Sequence, residues 1–285
     1  MAQPVLRLPA NVAGDFFVDS SCIDCDACRI FAPEVFRDAG GQSAVFHQPQ
    51  SKSEVLAAQR ALISCPTASI GSIEKRDMRA AVASLPELVA QDVYRCGYTS
   101  ESSFGAISYL IRREAGNVLI DSPRFTEPLA KNLAAVRTML LTHRDDVADH
   151  AQYHARFGCE RVLHRDDITS GTRAVERQPS GLEPVQLDDD LLMIPTPGHT
   201  RGHAVFLYRD TFLFTGDHLA WSESRGHLYA FRSACWYSWE EQILSMKRLL
   251  DFRFEWVLPG HGRPVQLPPD EMRLSLERCV QWMQR

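Results

Sequence analysis

Leu141-Thr142-His143-Arg144-Asp145-Asp146-Val147-Ala148-Asp149-His150 follows an apolar, strand-like run and opens a stretch with helical spacing. Imidazoles and carboxylates crowded where a strand gives way to a helix are well placed to grip a metal ion. Three later segments repeat the placement: Pro197-Gly198-His199-Thr200, Thr215-Gly216-Asp217-His218 and Pro259-Gly260-His261-Gly262 each follow an apolar run directly. Donors carried on glycine-rich turns at strand ends can converge on one hydrolytic or redox centre without long loops. Four such groups in order are hard to explain otherwise.

The chain on both sides supports a layered α/β pattern. Strand-like runs are expected at 106–111, 117–120, 138–141, 161–164, 191–195, 204–208, 211–215 and 256–258. Helical spacing is expected over 127–137, 149–157, 239–252 and 269–285, and Ser238 with Glu241 fits a capping box.

Toward the amino end, Cys22, Cys25 and Cys28 stand two residues apart, and Cys65-Pro66 follows a stretch of helical spacing over 53–64. A 4Fe-4S cluster needs four thiolates at the corners of a small cube, three of which one loop can supply while a distant Cys-Pro supplies the last. Zinc also accepts four thiolates, but its sites usually pair two Cys-x2-Cys knuckles. The four remaining cysteines, Cys96, Cys159, Cys235 and Cys279, are scattered singly and read as reduced and structural.

The segment Asp19-Ser-Ser-Cys22-Ile-Asp-Cys25-Asp-Ala-Cys28, with Ser64-Cys65-Pro66-Thr67, resembles single-cluster bacterial-type ferredoxins. That likeness implies one-electron transfer through Cys22, Cys25, Cys28 and Cys65. The His/Asp series resembles the metallo-β-lactamase superfamily, together with the strand pair around Ser108-Tyr-Leu-Ile111 and Val118-Leu-Ile-Asp121. This second likeness implies an αββα sandwich with metals at one edge. The expected organisation is therefore an iron–sulfur domain over 14–75, a linker over 76–92 and a metallo-β-lactamase-like domain over 93–285.

The motif departs from the superfamily's usual His-x-His-x-Asp-His. Asp145 stands where a second histidine is expected, and Asp149-His150 lies two residues further on. If the two extra residues bulge, the resemblance implies His143, Asp145 and His199 on one metal, Asp149, His150 and His261 on a second, and Asp217 bridging. A carboxylate at the second position is similar to the flavodiiron branch, which binds two irons, and such mixed ligation suits iron or manganese as well as zinc. Without a bulge only the second site survives, leaving one metal or none. Asp149 is the expected catalytic group in a hydrolase, orienting or deprotonating a metal-bound water.

Neighbouring side chains have plainer uses. His203 and His218 read as supports behind the ligands, and His154 as a helix-face residue. His47, His164 and His227 lack ligand-like context. Trp221, Tyr229, Phe231, Trp236 and Tyr237 read first as packing over the sheet and second as a pocket wall.

The 285 residues suffice for a small domain and a large one, and 45% hydrophobic with 24% charged residues is ordinary globular composition. A formal charge of −5 without a Lys/Arg block argues against a nucleic-acid partner. No run approaches the roughly 18 apolar residues of a membrane span. The opening residues lack a secretory pattern, so the expected location is cytoplasmic, or organellar if a transit peptide precedes this numbering.

The leading expectation is a redox metalloenzyme in which the cluster, reloaded by an external electron donor, serves a His/Asp centre of one or two iron or zinc ions acting on a small substrate. A hydrolase of thioesters, lactones or phosphoesters is the alternative, with the cluster structural or regulatory. A non-catalytic sensor is a third.

Overall fold

The computed structural model describes residues 2–285 and is of the α/β class expected. By compactness the chain forms two units. The first ends at Val136 and adds Ala148–Phe157; the second comprises Arg137–Val147 and Gly158–Arg285. The stretch His143–His150 is thus shared out, His143, Asp145 and Asp146 going to the second unit and Asp149 and His150 to the first.

In the first unit, strands Phe16–Val18 and Ile70–Ser72 pair antiparallel, as do Phe36–Asp38 and Ser43–Val45. Helix Lys52–Ser64 starts on a full capping box: the Ser51 hydroxyl accepts from Glu54 N–H at 3.2 Å, and Glu54 accepts from Ser51 N–H at 3.0 Å. It stops at Cys65, whose N–H still donates to Ala61 O, because Pro66 has no N–H to continue the ladder. The small residues Ala58, Ala61 and Ser64 are buried, and the helix packs on Ala27–Phe31. Four further strands follow in antiparallel order: Glu87–Ala90, Val93–Arg95, Tyr109–Ile111 and Asn117–Ile120. This sheet begins ahead of Val93.

Helix Glu127–Leu133 is shorter than its spacing suggested. It is capped by Thr126 and ends at Ala134, where φ is +61°. Val136 and Thr138 then enter strand Val136–Leu140, and residues 138–140 pair parallel with Glu160–Val162. Strand pairing of β-branched residues outweighs the helix propensity of the two alanines.

The second unit holds a six-stranded sheet ordered Val185–Asp188, Leu191–Pro195, Ala204–Tyr208, Phe212–Gly216, Trp256–Pro259 and Val265–Gln266. All neighbours are antiparallel except Phe212–Gly216 beside Trp256–Pro259, which the helix Trp239–Leu249 connects. Strands Ala204–Tyr208 and Phe212–Gly216 are buried at every residue, as continuous apolar runs imply. Helices Trp239–Leu249 and Pro269–Met283 complete the core, with Leu213, Val257, Met246 and Leu276 at most 1% exposed. Burying each such side chain contributes roughly 1.5–3 kcal/mol. Ser238 accepts from Glu241 N–H at 3.2 Å, which caps the first of these helices.

Two antiparallel steps separate Leu191–Pro195 from Phe212–Gly216, and a parallel step leads on to Trp256–Pro259. These three strands therefore run the same way. Their carboxyl ends lead into His199, Asp217 and His261 along one sheet edge.

Candidate metal centre and thiol pocket

The carboxylate of Asp217 is the meeting point of the second unit's donors. Its Oδ2 lies 3.8 Å from His143 Nε2, 3.8 Å from His199 Nε2 and 3.7 Å from His261 Nε2. Asp145 Oδ2 lies 4.0 Å from His143 Nε2 and 3.7 Å from His199 Nε2. These spacings are too long for hydrogen bonds. They are close to the roughly 3.4 Å between two donors that share a tetrahedral ion at about 2.1 Å each. The ligand atoms of His143, Asp145 and His199 form one compact group, and those of His143, Asp146 and Asp217 a second, each within 4.8 Å.

The donor set fits a divalent metal. His143 Nε2, both ring nitrogens of His199 and Asp217 Oδ1 are buried without a hydrogen bond among the described residues. Buried polar atoms left so are costly, and an ion among the Nε2 atoms would satisfy those of His143 and His199. Burial pushes His143 down to about 4, against the opposing pull of Asp217, so the ring is neutral at neutral pH, the form that ligates. The His199 ring beside it holds Asp145 below the usual carboxylate range. Thr142 Oγ1 at 3.0 Å from His143 Nδ1 fixes that ring's orientation.

Asp167 joins two of the ligand-bearing loops. Fully buried, it accepts from Arg144 N–H at 3.0 Å and Thr200 Oγ1 at 2.5 Å through Oδ2, and from Gly202 N–H at 2.7 Å through Oδ1. The loop carrying His143 and Asp145 is thereby tied to the loop carrying His199. Nothing local in the sequence marks this residue.

Asp149 and His150 belong to neither compact group among the described residues. Asp149 Oδ2 accepts from Phe125 N–H at 2.7 Å and Oδ1 from the Gln152 amide at 2.9 Å, while His150 is buried at the start of helix His150–Phe157. Asp146, absent from the sequence-derived ligand set, is buried, and its Oδ2 lies with Asp217 Oδ1 against Gly260. A Cβ at Gly260 would stand 3.0 Å from each. Its only sequence signal is adjacency to Asp145.

His203 donates to or accepts from Thr196 Oγ1 at 2.9 Å, and His218 stacks on it at 5.3 Å between ring centroids. Burial drives His203 well below its ordinary value and His218 to about 3. The aromatic residues divide: Trp236 and Tyr237 are not packed over the sheet but 63% and 49% exposed. Their N–H groups donate to His199 O, and the Trp236 ring lies 6.3 Å from the His199 ring.

In the first unit, Cys22, Cys25, Cys28 and Cys65 line one small cavity with Ser43 and Thr67. Ser43 N–H donates to Cys22 Sγ at 3.4 Å and Ser69 N–H to Cys65 Sγ at 3.2 Å. Burial pushes the Cys25 thiol up to about 12 and raises Cys28 as well. Desolvated thiols resist ionisation unless cations compensate, so a cationic cluster with N–H donors on its sulfur ligands suits this pocket. The residues present fit an iron–sulfur cluster.

The fold of the chain is that of the metallo-β-lactamases. It resembles VMB-1 (TM-score 0.53, 16% identity, covering 70% of this chain and 97% of that one). Likewise it resembles a metallo-β-lactamase from Pontibacter korlensis (0.52, 18%, 70% and 97%) and one from Hirschia baltica (0.51, 15%, 68% and 95%). Residues 18–72 match the family described as the 4Fe-4S single cluster domain of Ferredoxin I. The chain thus joins a ferredoxin-type single-cluster domain to a metallo-β-lactamase fold. No curated protein matches the sequence. Among the described residues no helix is long and apolar enough to cross a membrane.

Proposed function

We propose that the chain is a redox metalloenzyme, in which a 4Fe-4S cluster on Cys22, Cys25, Cys28 and Cys65 exchanges single electrons with a His/Asp metal centre acting on a small substrate. An external donor reloads the cluster. The observation that carries this reading is the mixed donor set, in which Asp145 shares His143 and His199 with Asp217. Carboxylate-rich ligation of this kind suits iron.

When bound there, iron would supply one-electron chemistry and Lewis acidity. His143, His199 and His261 would hold it through Nε2, with Asp217 offering Oδ2 beside all three and Asp146 a further oxygen. Asp145, half exposed, marks the open side. Trp236 and Tyr237 flank that approach beside His199 and offer a flat apolar surface to a substrate. Asp149, engaged by Phe125 and Gln152, serves the local backbone in this reading.

Hydrolysis is the second reading, favoured by the fold likeness to metallo-β-lactamases and by the open Asp145 edge. A divalent ion that activates water needs no electrons, and the cluster would then be structural or regulatory.

Elemental analysis of protein purified without oxygen tests the choice. Iron in excess of the cluster's own supports redox work. Zinc in its place would overturn it in favour of hydrolysis.

A further inference from the structure

We propose that the loop from Gly97 to Ser108, outside the 18–72 segment that matches the single-cluster family, forms the outer wall of the thiol pocket, and that Gly105 is the residue that lets it close there. The inference rests on reading the four thiols as an iron–sulfur site.

Gly105 has φ +84°, and a Cβ on it would stand 2.6 Å from Cys25 Cβ, 2.8 Å from Cys25 Sγ and 3.2 Å from Pro66 Cγ. Side chains of L-residues rarely adopt this backbone conformation, and no real Cβ tolerates the first two distances. The backbone of the loop therefore lies directly against one thiol and against the proline that follows another. Its two ends are fixed. Thr99 donates to Ser64 O through both N–H, at 3.3 Å, and Oγ1, at 2.6 Å, and Ser64 immediately precedes Cys65. Cys96 N–H donates to Ser108 O at 2.9 Å and closes the base. Within the loop, Gly105 N–H donates to Ser100 O at 2.8 Å, which folds the Gly105 turn inward.

The pocket's lining comes from the ferredoxin-type segment, between Val18 and Ile70, and the later loop adds a layer outside it at Cys25 and Pro66. Residues downstream of the sheet strand Val93–Arg95 cover Cys25 and anchor the helix end that delivers Cys65. Solvent exposure governs both the potential and the lifetime of such clusters, so a wall here controls how readily water, oxidant or chelator reaches the Cys25 corner.

The test uses the full chain, with the cluster assembled anaerobically and its visible absorption followed after addition of EDTA or air. Gly105→Ala is expected to bleach at least about threefold faster than wild type and to retain less iron and sulfide, since the added methyl pushes the wall off Cys25. Thr99→Val, which removes the hydroxyl bond to Ser64 O without touching a thiol, is expected to shift bleaching in the same direction by less. Wild-type rates in Gly105→Ala overturn the proposal. If that variant does not fold, wild-type rates in Thr99→Val overturn it. A wild-type chain that takes up zinc rather than iron and sulfide refutes the cluster reading itself, a failure distinct from indifference of the variants in a cluster-bearing protein.

Discussion

Asp217 Oδ2 stands 3.8 Å from His143 Nε2, with no hydrogen bond between them and the imidazole nitrogen fully buried. Removing the carboxylate takes away the one group shared by His143, His199 and His261. Asp217→Ala is expected to abolish metal binding in the second unit while leaving the visible absorption of the cluster intact. Metal content and absorbance of the same preparation check both halves, and lost cluster colour would contradict independent sites.

The converse substitution separates the centres from the other side. Cys25→Ser replaces a soft thiolate by a poor iron ligand and is expected to bleach the cluster without displacing the second metal. An equal fall in both would show that the thiol pocket and the His/Asp centre are loaded together.

Asp167 touches no proposed ligand atom, yet it holds Arg144, Thr200 and Gly202. Asp167→Asn keeps the volume but replaces one acceptor oxygen by a donor, facing groups that themselves donate. Metal affinity is expected to fall roughly 10- to 100-fold, as for other groups that orient ligands from behind. Titration with cobalt would report this as weaker binding, and Asp167→Glu should recover less than wild type because its longer chain displaces both loops.

Acid should weaken the metal-free protein over a defined window. An unfolded histidine takes up a proton near 6.5, whereas burial holds His143 neutral down to about 4 and His218 to about 3. Between those values the unfolded chain binds more protons, so stability falls as pH drops from 6.5 toward 4. Urea midpoints at pH 7 and pH 5 check it, and His218→Gln should flatten the difference. A midpoint independent of pH would count against buried neutral imidazoles.

What the sequence made legible follows a physical division. Cys22, Cys25, Cys28 and Cys65 are readable because two-residue spacing and a following proline constrain the backbone directly. Strands such as Leu191–Pro195 and Ala204–Tyr208 are readable to the residue because burial on both faces writes an unbroken apolar run. His143, His199, Asp217 and His261 announce themselves by standing just past such runs. Asp146 and Asp167 carry no such mark, since one lies beside a stronger candidate and the other acts only through distant N–H groups. Trp236 and Tyr237 misled for a related reason: composition cannot distinguish Trp221, which packs against the core, from Trp236, which tertiary contacts leave in solvent beside His199.

Helix Lys52–Ser64 is pinned at one end by the Ser51–Glu54 box and ends at the other on Cys65. It therefore serves as a ruler. One inserted residue would swing the fourth thiol by about 100° and carry it about 1.5 Å along the axis. Substitutions on its outer face are open to drift, whereas its count of residues is closed to it.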